Sequence, residues 1–306
     1  MLNSQQTMEE AKALDQKIKA HVADLPEDQK TMTVLMIYAG ILTETLFEYE
    51  EPDTVMEQSF HRIAELMGLN PADEISSLDK KPTAYDIDRN TELGRSYARD
   101  TADRLPGDMD DVHEIAIALL INDIPLFEKK GEDASEAFRF VIEFVITALV
   151  FEMAVQEFCD LVIEDFISEG WKIPTVLSTL SALSGRYLKQ STYSQGRNVE
   201  DEIPQMIAVM AEETARHGIP GTDEWFGLES ANDFEDTKLG QKIDALQKMT
   251  EDFFETVDID DLECKATALA KTAGRMVAVT SIDDGHMQGP VAKSLAKTGL
   301  YQGARL

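Results

Sequence analysis

Apolar residues recur at helical spacing from the first turns of the chain. Ala11, Leu14, Ile18 and Val22 fall on one stripe, which predicts a helix from near Thr7 to Val22. Pro26, followed by Glu27 and Asp28, opens a second helix that runs through Met32, Leu35, Ile41 and Leu46 toward Tyr49. Proline is tolerated at a first helical position, and acids there offset the positive end of the macrodipole. Pro52 opens a third helix and Gly68 closes it; the polar stretch from Asn70 to Pro82 reads as a connection. Further helices are expected at 83–104, 110–123, 174–190, 200–217, 236–256 and 260–277, and only Met276 to Ile282 has strand character. No internal repeat is evident. The predicted fold class is all-α, a globular bundle of roughly nine to eleven helices with a non-helical C-terminal tail.

The segment from Ala134 to Glu169 is the longest apolar element, and Phe140 to Val155 raises the question of a membrane span. Glu143 and Glu152 argue against one, because a carboxylate at bilayer depth costs roughly 2.5 to 3.5 kcal/mol on insertion scales. A buried core helix is expected instead. Stepping 100 degrees per residue gathers Glu136, Arg139, Glu143, Thr147, Glu157 and Glu164 on a solvent face. Glu152 falls opposite, among Ala148, Leu149, Val155 and Gln156. Such a carboxylate calls for a Lys or Arg from another helix or a place at a subunit contact; the alternative is a metal ligand or proton-transfer group. The charged step at 129–133 suggests a division into 1–130, 131–284 and a tail, 285–306, although one domain plus a tail is equally consistent.

Charge sharpens this picture. Fifty-eight acidic residues face 28 basic ones, a formal net charge of −30, yet no Asp or Glu follows Asp284. The tail carries only Lys293, Lys297 and Arg305. An anionic body repels phosphate backbones and anionic lipid, so direct nucleic-acid and membrane binding are not expected, and a basic protein surface is. The tail contains four glycines, so its order must come from docking: on its own body, on another subunit, or on a partner through Lys293, Lys297 and Arg305. Gly285-His286-Met287 also has the look of a joining sequence, which would make 285–306 an appended segment. Two cysteines, Cys159 and Cys264, suggest neither a disulfide framework nor a zinc site and read as buried thiols. The first residues lack the basic and apolar runs of a secretory signal, and a cytoplasmic location is expected.

Candidate chemistry is sparse. Glu57 and Glu213 stand four residues before His61 and His217, a spacing that places each pair on one helix face and reads as two solvated surface pairs. Neither His-Glu-x-x-His, a Gly-x-Ser-x-Gly elbow nor a phosphate-binding Gly-x-x-x-x-Gly-Lys loop is present. An EF-hand at Asp258-Ile-Asp260-Asp261-Leu-Glu263 is rejected, because the Gly and Glu that such a loop needs do not fall in place. The window 223–263 holds fourteen acids and three lysines over a recurring apolar stripe, which reads as amphipathic helix with an acidic outer face.

The most enzyme-like pattern is Asp110-Asp111-Val-His-Glu114 at a helix start. Clustered carboxylates suit magnesium, which takes hard oxygen ligands and keeps substrate phosphates in its shell. Here the chain resembles the aspartate-rich motif of the class I isoprenoid and terpene synthases. The resemblance implies an all-helical fold and magnesium diphosphate held by Asp110, Asp111 and Glu114. That family's second motif would be Asn232-Asp233-Phe-Glu-Asp236-Thr-Lys238, which places Asp236 where Ser or Thr belongs and Gly240 where Glu belongs. Two tryptophans also leave little aromatic lining for a carbocation. Acids that cap a helix and offset its dipole account for the first motif without a metal. The sequence therefore predicts an acidic helical protein-binding module, an adaptor, inhibitor, chaperone or assembly component, that needs no cofactor and engages a basic partner or its own subunits. The alternatives are a magnesium-dependent enzyme acting on a diphosphate and a mimic of nucleic-acid charge.

Overall fold

The computed structural model describes residues 2–71, 89–105, 108–128, 134–168, 170–219, 225, 239–282 and 287–306. The described residues form eleven helices and no strand. The chain divides into two compact units, Met1–Val150 and Phe151–Leu306. That division falls inside one continuous helix, whereas the sequence suggested the charged loop before it.

The first unit opens with α1 (Ser4–His21). The Asn3 side chain accepts from the Gln5 and Gln6 amides, and the Gln6 side chain accepts from the Asn3 amide, so three amide donors are satisfied and the helix start is fixed. Its buried face is Ala11, Leu14 and Ile18, as the stripe predicted. Next come α2 (Glu27–Leu46) and α3 (Pro52–Met67), the latter ending at Gly68 with φ 76°, a left-handed cap that glycine adopts without strain. α4 (Arg89–Ala102), α5 (Asp108–Glu128) and the first half of α6 (Ala134–Ser168) complete the unit. α2 is its centre, packed on α1, α3, α4 and α5. Gly94 lets α4 approach, since a Cβ there would lie 2.1 Å from the Ile37 carbonyl oxygen.

The second unit begins with the rest of α6 and continues through α7 (Ile173–Ser194), α8 (Val199–Arg216), α9 (Leu239–Thr256), α10 (Leu262–Ile282) and α11 (Gly289–Arg305). Two expectations fail here. Met276 to Ile282 belongs to α10 and is helical, because its Met, Val and Ala positions face a helical core where local β propensity decides nothing. The tail is also a helix, α11, from Gly289 to Arg305. Its glycines are packing surfaces, with Gly299 and Gly303 four residues apart on one face. A Cβ on Gly303 would lie 1.7 Å from the Ala182 carbonyl oxygen, so α11 sits directly on the α7 backbone.

The two units repeat one plan that the residues themselves do not advertise. α2, α3, α4 and α5 correspond in order to α7, α8, α9 and α10, and the pairings of α2 with α3, α4 and α5, and of α3 with α5, recur as α7 with α8, α9 and α10, and α8 with α10. In each unit the longest interval between described helices lies at the same place, after α3 and after α8. Helix lengths and pairings recur, and sequence inspection found no repeat because side-chain identities do not.

Candidate functional site

The acidic motif at the start of α5 does not converge. Asp110 accepts from the Tyr49 hydroxyl at 2.9 Å. Asp111 is buried and accepts from the Leu2 amide at 2.7 Å. Glu114 is gripped by both terminal nitrogens of Arg62 at 2.6 and 2.9 Å. Three carboxylates four positions apart thus turn to three different partners. Among the described residues, no group of three His, Cys, Asp or Glu side chains is placed to hold a metal ion. The second motif, 232–238, lies outside the described residues.

His113, inside that motif, is buried between two hydroxyls, with Nδ1 2.8 Å from Thr45 Oγ1 and Nε2 2.9 Å from Ser59 Oγ. The Tyr49 ring meets its edge at 5.5 Å. Burial pushes its pKa down to about 4, although Glu114 and Asp110 nearby pull the other way. The imidazole is therefore neutral at pH 7, and it ties α5 to α2 and α3.

Glu152 has the cation that its position demanded. It is 3% exposed, ion-paired with Lys271 of α10, and accepts from Arg216 Nη1 of α8 at 3.2 Å. The sequence reading missed the rest of the cluster. Glu213 is equally buried, 3.0 Å from His217 Nε2, 3.6 Å from Arg275 Nε and 3.7 Å from Arg216 Nη1. Burial alone would raise the Glu213 pKa, but the His217 hydrogen bond and the Arg216 charge outweigh it and hold the carboxyl down to about 2. The Glu213–His217 pair is therefore no solvated surface pair, since α10 covers it with Arg275. Glu57 and His61 do form the exposed pair, at 3.9 Å.

Each unit also carries a tyrosine on its central helix that donates to a lysine-paired carboxylate. In the first, the buried Tyr38 hydroxyl donates to Asp123 of α5, which Lys19 of α1 approaches at 3.2 Å. In the second, the Tyr187 hydroxyl donates to Glu251 of α9 at 2.5 Å, and Lys265 of α10 holds the other oxygen at 2.5 Å. Those two bonds outweigh burial and keep the Glu251 carboxyl below its ordinary range.

The tail cations are placed unequally. Lys293 and Lys297 are 3% and 8% exposed, and Lys297 Nζ donates to the Trp225 carbonyl at 3.1 Å. Arg305 is exposed, and its carbonyl accepts from Lys189 Nζ at 3.3 Å. α11 thus docks within its own unit, one of the three places foreseen for it. The two cysteines are buried free thiols, and burial pushes Cys159 up to about 12.

The buried acids of the described residues are Glu44, Asp111, Asp123, Glu152 and Glu213; the buried lysines and arginines are Arg95, Lys265, Lys271, Lys293 and Lys297. These two sets balance, so the acidic surplus is carried outside the buried core. One concentration surrounds the turn from α9 to α10, where Asp252, Glu255, Asp258, Asp260 and Asp261 are exposed. Asp261 caps α10 by accepting from the Glu263 and Cys264 amides at 2.8 and 3.0 Å. Asp252 and Glu255 stand at the C-terminal end of α9, where the helix dipole disfavours negative charge and no basic residue occupies the last turn. No helix among the described residues is long and apolar enough to cross a membrane. Comparison with family models, curated proteins and solved structures finds no match for this chain.

Proposed function

We propose that this protein is a helical binding module for a basic protein surface. The observation that carries the reading is the acidic turn between α9 and α10. Asp252 and Glu255 work against the α9 dipole, at about 0.3 to 1 kcal/mol each, and the fold gains no described contact in return. Two acids that cost stability and face solvent fit a role outside the fold. Burial adds support, because equal numbers of acidic and basic side chains are buried among the described residues and the acidic surplus stays outside the core.

The test is capture of basic proteins from a native extract at low salt, comparing the wild-type chain with a variant carrying Asp252→Asn, Glu255→Gln and Asp260→Asn. The wild type should retain a basic partner that both the variant and about 1 M salt release, since the Debye length there falls to about 3 Å. The variant should be at least as stable as the wild type. Equal capture by both chains, or retention indifferent to salt, rejects the reading. Displacement of the partner from DNA would narrow it to mimicry of nucleic-acid charge.

A further inference from the structure

α1 is held to its unit by a polar contact that has one proton too few. Tyr38 on α2 is buried, and its hydroxyl carries a single hydrogen. Two carboxylates face that hydroxyl: Asp123 on α5 within hydrogen-bond contact, and Asp15 on α1 with Oδ1 at 3.0 Å. Only one of them can receive the hydrogen. Lys19, also on α1, reaches both, with Nζ 2.7 Å from Asp15 Oδ2 and 3.2 and 3.4 Å from the Asp123 oxygens. With both aspartates ionised, the site holds two negative charges against one positive charge, and an oxygen lone pair of one aspartate faces the hydroxyl oxygen without a hydrogen between them. One added proton supplies the missing hydrogen and balances the charge.

We propose that Asp123 holds a proton while α1 is docked, and that loss of this proton as pH rises loosens α1 from α2 and α5, making α1 a pH-gated latch. The groups facing Asp123 are Asp15 and Lys19 on α1 and Tyr38 on α2. Burial, and Asp15 beside it, raise the Asp123 pKa above the ordinary carboxylate range, against the Tyr38 hydrogen bond and the Lys19 charge. The sign follows from linkage. The docked state binds more protons than the released state, so docking is strongest at low pH and weakens as pH rises through the raised value. Release would uncover Ala11, Leu14 and Ile18 together with the α2 and α5 surface beneath them.

Hydrogen exchange of the full chain, corrected for intrinsic rates and followed over residues 4–21, tests the latch. Protection of these amides should fall roughly tenfold or more as pH is raised from about 5 to about 9 and Asp123 gives up its proton. In Asp15→Asn the drop should vanish, because one charge is gone while an acceptor for Tyr38 remains. Asp123→Asn should behave alike, and if that variant does not fold, Asp15→Asn carries the test alone. Wild-type protection unchanged across this range overturns the proposal, as does a drop that persists in Asp15→Asn.

Discussion

In the first unit one buried carboxylate, Glu44 on α2, answers two guanidinium groups of α4, with Arg95 Nε and Arg99 Nη1 both at 2.8 Å. In the second, two buried carboxylates on different helices, Glu152 and Glu213, share Lys271, Arg216 and Arg275 with His217 at the edge. Four helix pairings recur in the same order, yet the ionic clamps sit between different helices and use different residues. The common plan therefore rests on apolar stripes and backbone approach, and each unit has solved its buried charge separately. A two-carboxylate clamp keeps one acid in place when the other is removed.

That contrast can be broken experimentally, because both tryptophans lie in the second unit and report its unfolding alone, whereas circular dichroism follows both. The largest effect is expected from Glu44→Gln, which removes the carboxylate that Arg95 Nε and Arg99 Nη1 both meet and should cost about 3 to 5 kcal/mol, the range for breaking a buried pair. Glu152→Gln should cost less, since Glu213 still faces Arg216. Equal losses in the two denaturation experiments would remove the distinction between the clamps.

Acid separates the units next. His113 has a folded pKa depressed from the usual 6.5 to about 4, so its contribution to the first unit is fully present above pH 6.5 and is lost as pH falls toward 4. Glu213, held down to about 2 from an ordinary 4.5, contributes stability that is lost only as pH falls below 4.5. Between pH 6.5 and 4.5 the circular-dichroism midpoint should fall, at up to about 1.4 kcal/mol per pH unit, while the tryptophan transition stays in place. His113→Gln should flatten the pH dependence; an unchanged slope would show that the imidazole is not its source.

Backbone approach gives the smallest effects. Gly303→Ala forces α11 off α7 and should cost about 1 to 3 kcal/mol, and Gly94→Ala should do the same between α2 and α4. Gly240→Ala on α9 meets nothing within 4 Å and should instead gain about 0.4 to 1 kcal/mol, a change of sign that melting curves resolve.

Helix starts were legible because Pro26, Pro52 and Pro174 punctuate the chain, and Glu152 was legible because angular phase alone set it against an apolar face. Glu213 was not. It shares a stripe with Met206 and Met210, but the pairing with His217 four residues on reads as a surface pair, and the Arg275 that covers it lies far along the chain on α10. α11 was misread because glycine was counted as a helix breaker, while Gly299 and Gly303 share the face that touches α7. His113 drew no role from the sequence, because its partners are hydroxyls on α2 and α3 that no local spacing reveals.

Cys159 and Cys264 are the chain's only thiols, and both are buried in the second unit. A thiol reagent added to the native protein therefore has nothing to attack in the first unit at all. Labelling must wait for the second unit to open, so its rate is a clock for that opening.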